Sequence, residues 1–264
     1  MADGRRSGLG QSLSRTSQGR IRSHDPAQAS PRSDQGRKTS LSRPGAPSVS
    51  DLALYVHPGS TNSYKCTLLL SLLDVPYECV MLPFGNARER PQWFLEMNPR
   101  GLVPFLKVRD ECYWDSTSIL TFIGRSFGAG SWLPLDAPAL ARVMQWLALA
   151  QSEILHGLVR VRHIQRGSRK GDIAEAKALG ESALALIERE LASSEWLAGP
   201  LPTIADIACY PHVSRASESE YKIETYPAVR EWLRRIEALP RWVPRLQRMD
   251  DPATAKLHAS RPWP

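Results

Sequence analysis

Two short strings in this chain hold groups able to bind a small ligand by its backbone and its charged end. The first is Asn98-Pro99-Arg100-Gly101-Leu102-Val103-Pro104-Phe105-Leu106. A turn containing Pro and Gly leads into Val-Pro at the mouth of a short apolar strand. Proline cannot donate to a strand ladder. Val103-Pro104 makes sense there if the bond is cis, which leaves the Val103 backbone groups free to pair with the peptide of a ligand. The second string is Asp115-Ser116. It is placed to open a helix, where backbone N–H groups and the helix dipole attract a carboxylate. A small peptide with an amino-acid head fits across both.

A third string, Ser60-Thr61-Asn62-Ser63, offers hydroxyls in a loop before a helix. Two readings stand side by side: a turn with an N-cap, which Ser and Asn form routinely, or hydroxyl donors aimed at a reacting group. Ser60 and Ser63 have an SxxS spacing and the chain has no CxxC, so dithiol chemistry by the protein is not expected.

The elements that must position these groups follow from periodicity. Leu52 to Val56 reads as a buried strand, Ser63 to Asp74 as a helix and Pro76 to Leu82 as a strand. Pro91 to Met97 is a short helical piece. Phe105 to Val108 and Cys112 to Trp114 form a hairpin, and Asp115 to Phe127 is a helix. This β-α-β-α-β-β-α order is a compact α/β unit over residues 50–127. Residues 128–136 read as a linker. Residues 137–250 are all-helical, with spans 139–165, 172–192, 203–217 and 227–239. Thr203-Ile204-Ala205-Asp206 is a structural capping box. Tyr55 reads as a core residue, and Trp93, Trp114, Trp132, Trp146 and Trp196 as core and interface packing. His57 borders the hydroxyl loop. His156 and His163 share a helix face that is packed or solvated, with no third ligand to make a metal site. The arginines at 230, 234 and 235 read as a solvated face.

Charge is concentrated at the start. Residues 1–50 hold nine Lys or Arg against three acidic residues, and the rest of the chain holds 25 against 24. The folded body is therefore nearly neutral, and a pI of 9.4 does not argue for nucleic-acid binding by it. Residues 1–49 are poor in aliphatic and aromatic residues and are expected to be disordered. They read as a solvated extension, a transit peptide or a basic arm, and residues 251–264 as a C-terminal extension. Cys66, Cys79, Cys112 and Cys209 lie in apolar segments and read as reduced, mostly buried thiols. No apolar run approaches a membrane span and no secretory signal is present, so a cytoplasmic protein is expected.

Taken in order, Pro58 to Lys65, Val75-Pro76-Tyr77-Glu78, Asn98 to Phe105, Asp115-Ser116, and Trp196 to Gly199 followed by Thr203 to Ile207 resemble the glutathione S-transferase superfamily. So do Tyr226 to Val229, Trp232-Leu233 and Ala238 to Pro240. The resemblance spans about residues 51–248, and is to the cytosolic, serine-using, bacterial type. It implies a thioredoxin-like domain followed by an all-helical domain, usually paired as a homodimer. It implies glutathione as co-substrate, with no tightly bound cofactor or metal, and detoxification-type transfer to a small, largely apolar electrophile seated around Met144 to Leu155. Val103 before a cis Pro104 is then expected to pair with the cysteinyl part of glutathione, and Asp115 and Ser116 to hold the γ-glutamyl end. Ser60 is the expected catalytic hydroxyl, with Thr61, Asn62 and Ser63 as alternatives if the loop shifts. Leu102 departs from the pattern, since many relatives place a Gln or Lys there. Arg100 and Lys65 are the candidates to supply the missing charge. Losing one charge-assisted hydrogen bond costs ~1.5–3 kcal/mol, about tenfold to a hundredfold in affinity. Glutathione-dependent disulfide reduction and a non-catalytic, protein-binding use of the fold are the alternatives.

Overall fold

Alternation along the first strand sets up a two-sided sheet. The structure, a computed structural model, describes residues 51–82 and 90–245. The expectations for residues 1–49 and 251–264 lie outside these. In β1 (Leu52–Val56), Leu52, Leu54 and Val56 face one core, and Tyr55 faces a smaller one with Phe94 and Phe105. β1 pairs in parallel with β2 (Glu78–Met81) and antiparallel with β3 (Phe105–Val108), which pairs antiparallel with β4 (Glu111–Trp114). The order is β2-β1-β3-β4. Helix α2 (Gln92–Met97) covers the Tyr55 face, where the Tyr55, Phe94 and Phe105 rings meet at centroid distances of 5.5–5.6 Å. On the other face lie α1 (Thr61–Leu72) and α3 (Ser116–Phe127).

Helix α1 begins two residues before the expected Ser63. The cause is Ser60, whose hydroxyl accepts from the Ser63 N–H at 3.1 Å and caps the helix early. Residues 61 and 63–70 are all buried, because α7 (Ile204–Val213) packs against α1 from the helical side. A strap of chain closes over it further: the Tyr64 hydroxyl donates to the Val243 carbonyl at 2.7 Å and Ser71 to that of Arg241 at 2.7 Å.

The helical part comprises α4 (Ala137–Gln151), α5 (Arg160–Gln165), α6 (Ile173–Leu191), α7 and α8 (Pro227–Glu237). The single helix expected over 139–165 is interrupted by a wide π-type turn at Leu155–Val159. There Gly157 meets Gly180 of α6 so closely that a Cβ would lie 2.4 Å from the Gly180 nitrogen. Thr203 and Asp206 form the capping box, and the fully buried Asp206 carboxylate does more. It accepts from the Thr203 and Leu197 N–H groups at 2.9 and 3.0 Å and from the Trp232 indole at 3.0 Å, tying three segments together.

Two expectations change. Cys112 is exposed and Trp114 is 55% exposed, since both lie on β4, at the edge of the sheet. Lys65 is 1% exposed, on α1 beside Cys209 of α7. Burial pulls its ammonium from 10.5 down to about 8, while Cys209, Cys66 and Asp115 pull the other way. Below pH 8 the folded chain carries the full cost of that buried charge. Between about 8 and 10.5 the unfolded chain keeps the proton and the folded chain does not, so this group's contribution to stability rises with pH. Lys65→Met should therefore be more stable than the native chain at pH 7, by about 3 kcal/mol. Urea denaturation across pH should show that gap closing between about 8 and 10.5; a gap independent of pH contradicts the account.

Candidate active site

The loop after β1 is held by its own histidine. His57 Nδ1 accepts from the Gly59 N–H at 3.1 Å, and the His57 carbonyl accepts from the Ser60 N–H at 2.9 Å. This fixes Ser60 at the N-terminus of α1. The four loop hydroxyl and amide groups then have different partners. Thr61 Oγ1 accepts from the Arg215 guanidinium at 2.9 Å. Asn62 Oδ1 lies 3.2 Å from His212 Nε2. Ser63 is buried and its oxygen accepts from the His57 N–H at 3.4 Å. Ser60 is half-buried and accepts from Ser63, which leaves its O–H to donate elsewhere.

Ser60, Thr61 and Asn62 border a cavity of about 510 Å³ together with Val103 and Leu102. The Val103-Pro104 bond is cis. The opposite wall comes from the π-type turn, α5 and α7, and it is strongly basic. Arg160, Arg162, Arg166, Arg169 and Arg215 line it with His156, His163 and His212, and Arg90 and His57 line the loop side. None of the described lining residues is acidic. Glu218 stands behind this wall, accepting from Arg215 through both carboxylate oxygens at 2.7 Å and from Arg166 at 3.0 Å. Arg162 is 4% exposed, and burial with the adjacent Arg215 lowers it to about 10, so it stays charged at neutral pH. Burial first, then Lys65, Arg162 and Arg215, hold the His212 imidazole far below its ordinary range, so it is neutral.

Known proteins match this arrangement along its length. Residues 50–125 match the family model described as "Glutathione S-transferase, N-terminal domain", and residues 170–235 the one described as "Glutathione S-transferase, C-terminal domain". A glutathione S-transferase from Pseudomonas fluorescens, solved as a crystal structure, superposes with a TM-score of 0.67. It is 31% identical, and the match covers 75% of this chain and 100% of that one. This chain belongs to the glutathione S-transferase family. Glutathione S-transferase D7 of Anopheles gambiae is 30% identical over 70% of this chain and 85% of its own. A relative from Escherichia coli named a disulfide-bond oxidoreductase is 24% identical over 71% of this chain and 90% of its own.

Within this family member, the residues expected to bind are not all gathered at one surface. Ser60, Thr61, Asn62 and Val103 share the cavity, and Pro104 follows at the start of β3. Asp115 caps α3 with φ 76° and accepts from the Thr117 N–H at 2.8 Å, with Ser116 buried beside it; Asp115 borders a neighbouring groove instead. Arg100 lies over the Trp114 ring at 4.5 Å and does not line the cavity. Lys65 is sealed between α1 and α7, so it offers no charge to an open site. Of the stretch Met144 to Leu155, only Leu155 reaches the cavity. The helix turns the rest away before the π-type turn brings residues 155–163 round. The cavity wall facing Ser60 is basic, and the electrophile was expected beside the preceding stretch of helix. His156 and His163, expected on a packed or solvated helix face, line that wall.

Sequence reasoning missed Arg90, His212, Arg215 and the arginines between 160 and 169. One signal was available: Arg160, Arg162, Arg166 and Arg169 fall within ten residues that hold no acidic residue. Arg90 is buried, donates to the Gly101 carbonyl at 3.1 Å and lines the cavity alongside Leu102, on the side where a polar residue was expected.

Burial and then Arg90 lower His57 from 6.5, and its neutral ring is what accepts from Gly59. Protonation removes that acceptor, so the bond is present at neutral pH and is lost on acidification below the histidine's ordinary range. An NMR titration should place His57 below 6.5 with the Gly59 amide shift following it; a midpoint at or above that value contradicts the geometry.

Proposed function

We propose that this protein is a glutathione transferase in which Ser60 stabilises the glutathione thiolate. The observation that carries the reading is Ser60 itself: a hydroxyl with a proton to give, at the N-terminus of a buried helix, opening on the cavity that Val103 borders. Glutathione lies along Val103 with its backbone paired to that residue. Its γ-glutamyl end reaches toward Asp115 and Ser116, and its glycyl carboxylate toward Arg90 and His57.

The chemistry follows from a thiol pKa near ~8.5, which leaves most glutathione protonated at neutral pH. The thiol proton passes to water. The sulfur anion receives the Ser60 O–H bond and the favourable field of the α1 N-terminus, and so persists as the nucleophile. The anion then attacks an electrophilic carbon. The disulfide-bond oxidoreductase among the relatives gives a second reading, in which the same anion attacks a disulfide. A hydroxyethyl disulfide assay beside a chlorodinitrobenzene assay separates the two.

Pairing with a second copy is also part of the proposal. Trp114 and Met144 are 55% and 50% exposed and border one groove with Phe122 and Leu140. A twofold partner burying that patch is the expected occupant. Light scattering should give twice the chain mass, and a Trp114→Glu variant should give the single mass. A native monomer overturns this part.

Ser60→Ala should lower the turnover of chlorodinitrobenzene conjugation by about 10²–10³. It should also move the bound thiolate absorbance to higher pH while glutathione still binds. The lost cap costs about 1 kcal/mol of stability, so the variant should remain folded. Undiminished turnover in Ser60→Ala contradicts the role given to this hydroxyl.

A further inference from the structure

The basic wall has more positive charge than glutathione can neutralise. Glutathione brings two carboxylates and one ammonium, and the reading above sends one carboxylate to the loop side, which Arg90 and His57 line. The far wall still holds five arginines. Glu218 answers Arg166 and Arg215 from behind. Arg162 is nine-tenths buried and more, and its Nη1 has no hydrogen-bond partner. His212, equally buried, lines the same cavity as a neutral ring whose Nε2 meets Asn62 Oδ1, so it adds no charge to the wall. Buried polar atoms are normally satisfied, and a cavity-lining guanidinium whose own hydrogen bonds are incomplete favours an anionic oxygen beside it.

We infer that the second substrate of this enzyme is an organic anion, a small electrophile bearing carboxylate, held by Arg162 with Arg166 and Arg215 beside it. This rests on the glutathione reading above and names the substrate class of that site. An enone that also carries a carboxylate, a 4-oxo-2-alkenoate, suits the geometry. The thiolate sulfur forms a bond to the carbon β to the ketone, and the π-electron pair of the C=C bond moves to the ketone as an enolate. Water returns a proton to the α-carbon. Glutathione is added across the double bond, nothing leaves, and no oxidant or reductant is consumed. The arginines hold the carboxylate and offset the negative charge that gathers as the bond forms.

The test compares 3-benzoylacrylate with its methyl ester as acceptors for glutathione, each rate divided by its uncatalysed rate. Glutathione affinity is measured separately by calorimetry. The acid should be favoured in kcat/KM by about tenfold to a hundredfold, the range for one charge-assisted bond. That advantage should shrink as salt is added, and should be lost in Arg162→Met with glutathione affinity unchanged. Arg166→Ala, at an exposed position, should reduce it in part and gives the same reading if Arg162→Met fails to fold. Glutathione binding with no preference for the acid overturns this inference alone. Failure to bind glutathione overturns the site reading and this inference with it.

Discussion

Helix α1 has almost no solvent face over its first ten residues, and the rest of the site depends on that. It lies on the sheet beside α3, under α7, with residues 241–243 strapped across it. A helix packed on all sides cannot rotate without dislodging Leu68, Leu69 and Leu70, each fully buried. Its N-terminus is thereby aimed in one direction. The loop before it is fixed from three sides: by the His57 ring, by Arg215 on Thr61 and by His212 beside Asn62. Ser60, Thr61 and Ser63 each accept one bond there and keep a hydroxyl proton to give; Ser60 is the one at the N-cap itself, while Thr61 is engaged by Arg215 and Ser63 is buried.

The same packing explains why two bodies of different architecture make one site. The α/β part brings the anion-attracting helix end and the Val103 backbone. The helical part brings cations, and it does so through an irregularity. The close Gly157–Gly180 crossing coincides with a π-type turn, and from there the helix runs on with Arg160 and Arg162 at the cavity. Asp206 holds the far end together, joining the Leu197 turn, the start of α7 and Trp232 of α8 through one carboxylate. Arg162 and Arg215 ride on this framework, so their mutual repulsion is borne by packing and by Glu218.

Much of this was legible in the residues. The strand alternation, the capping box at Thr203 and the Val-Pro turn each have a local cause and a local signature. The start of α1 was misplaced because Ser60 and Ser63 both suit a cap, and only the 3.1 Å bond between them decides which one serves. Lys65 looked like a ligand group because α1 was read with one apolar face; the helix proved buried all round by α7, a contact between residues some 150 positions apart. The basic wall escaped because charge was counted over the whole body, where 25 cations against 24 anions look neutral. Such a count says nothing of position. Folding gathers the arginines from residues 90, 160–169 and 215 around one cavity and leaves Glu218 behind it.

The central claim is that glutathione's sulfur rests on Ser60. A crystal structure with glutathione bound tests it most directly. The account predicts the sulfur within about 3.5 Å of Ser60 Oγ, at hydrogen-bond range, with the cysteinyl backbone paired to Val103. A sulfur seated instead on Thr61, Asn62 or Ser63, or a tripeptide bound away from Val103, would contradict it.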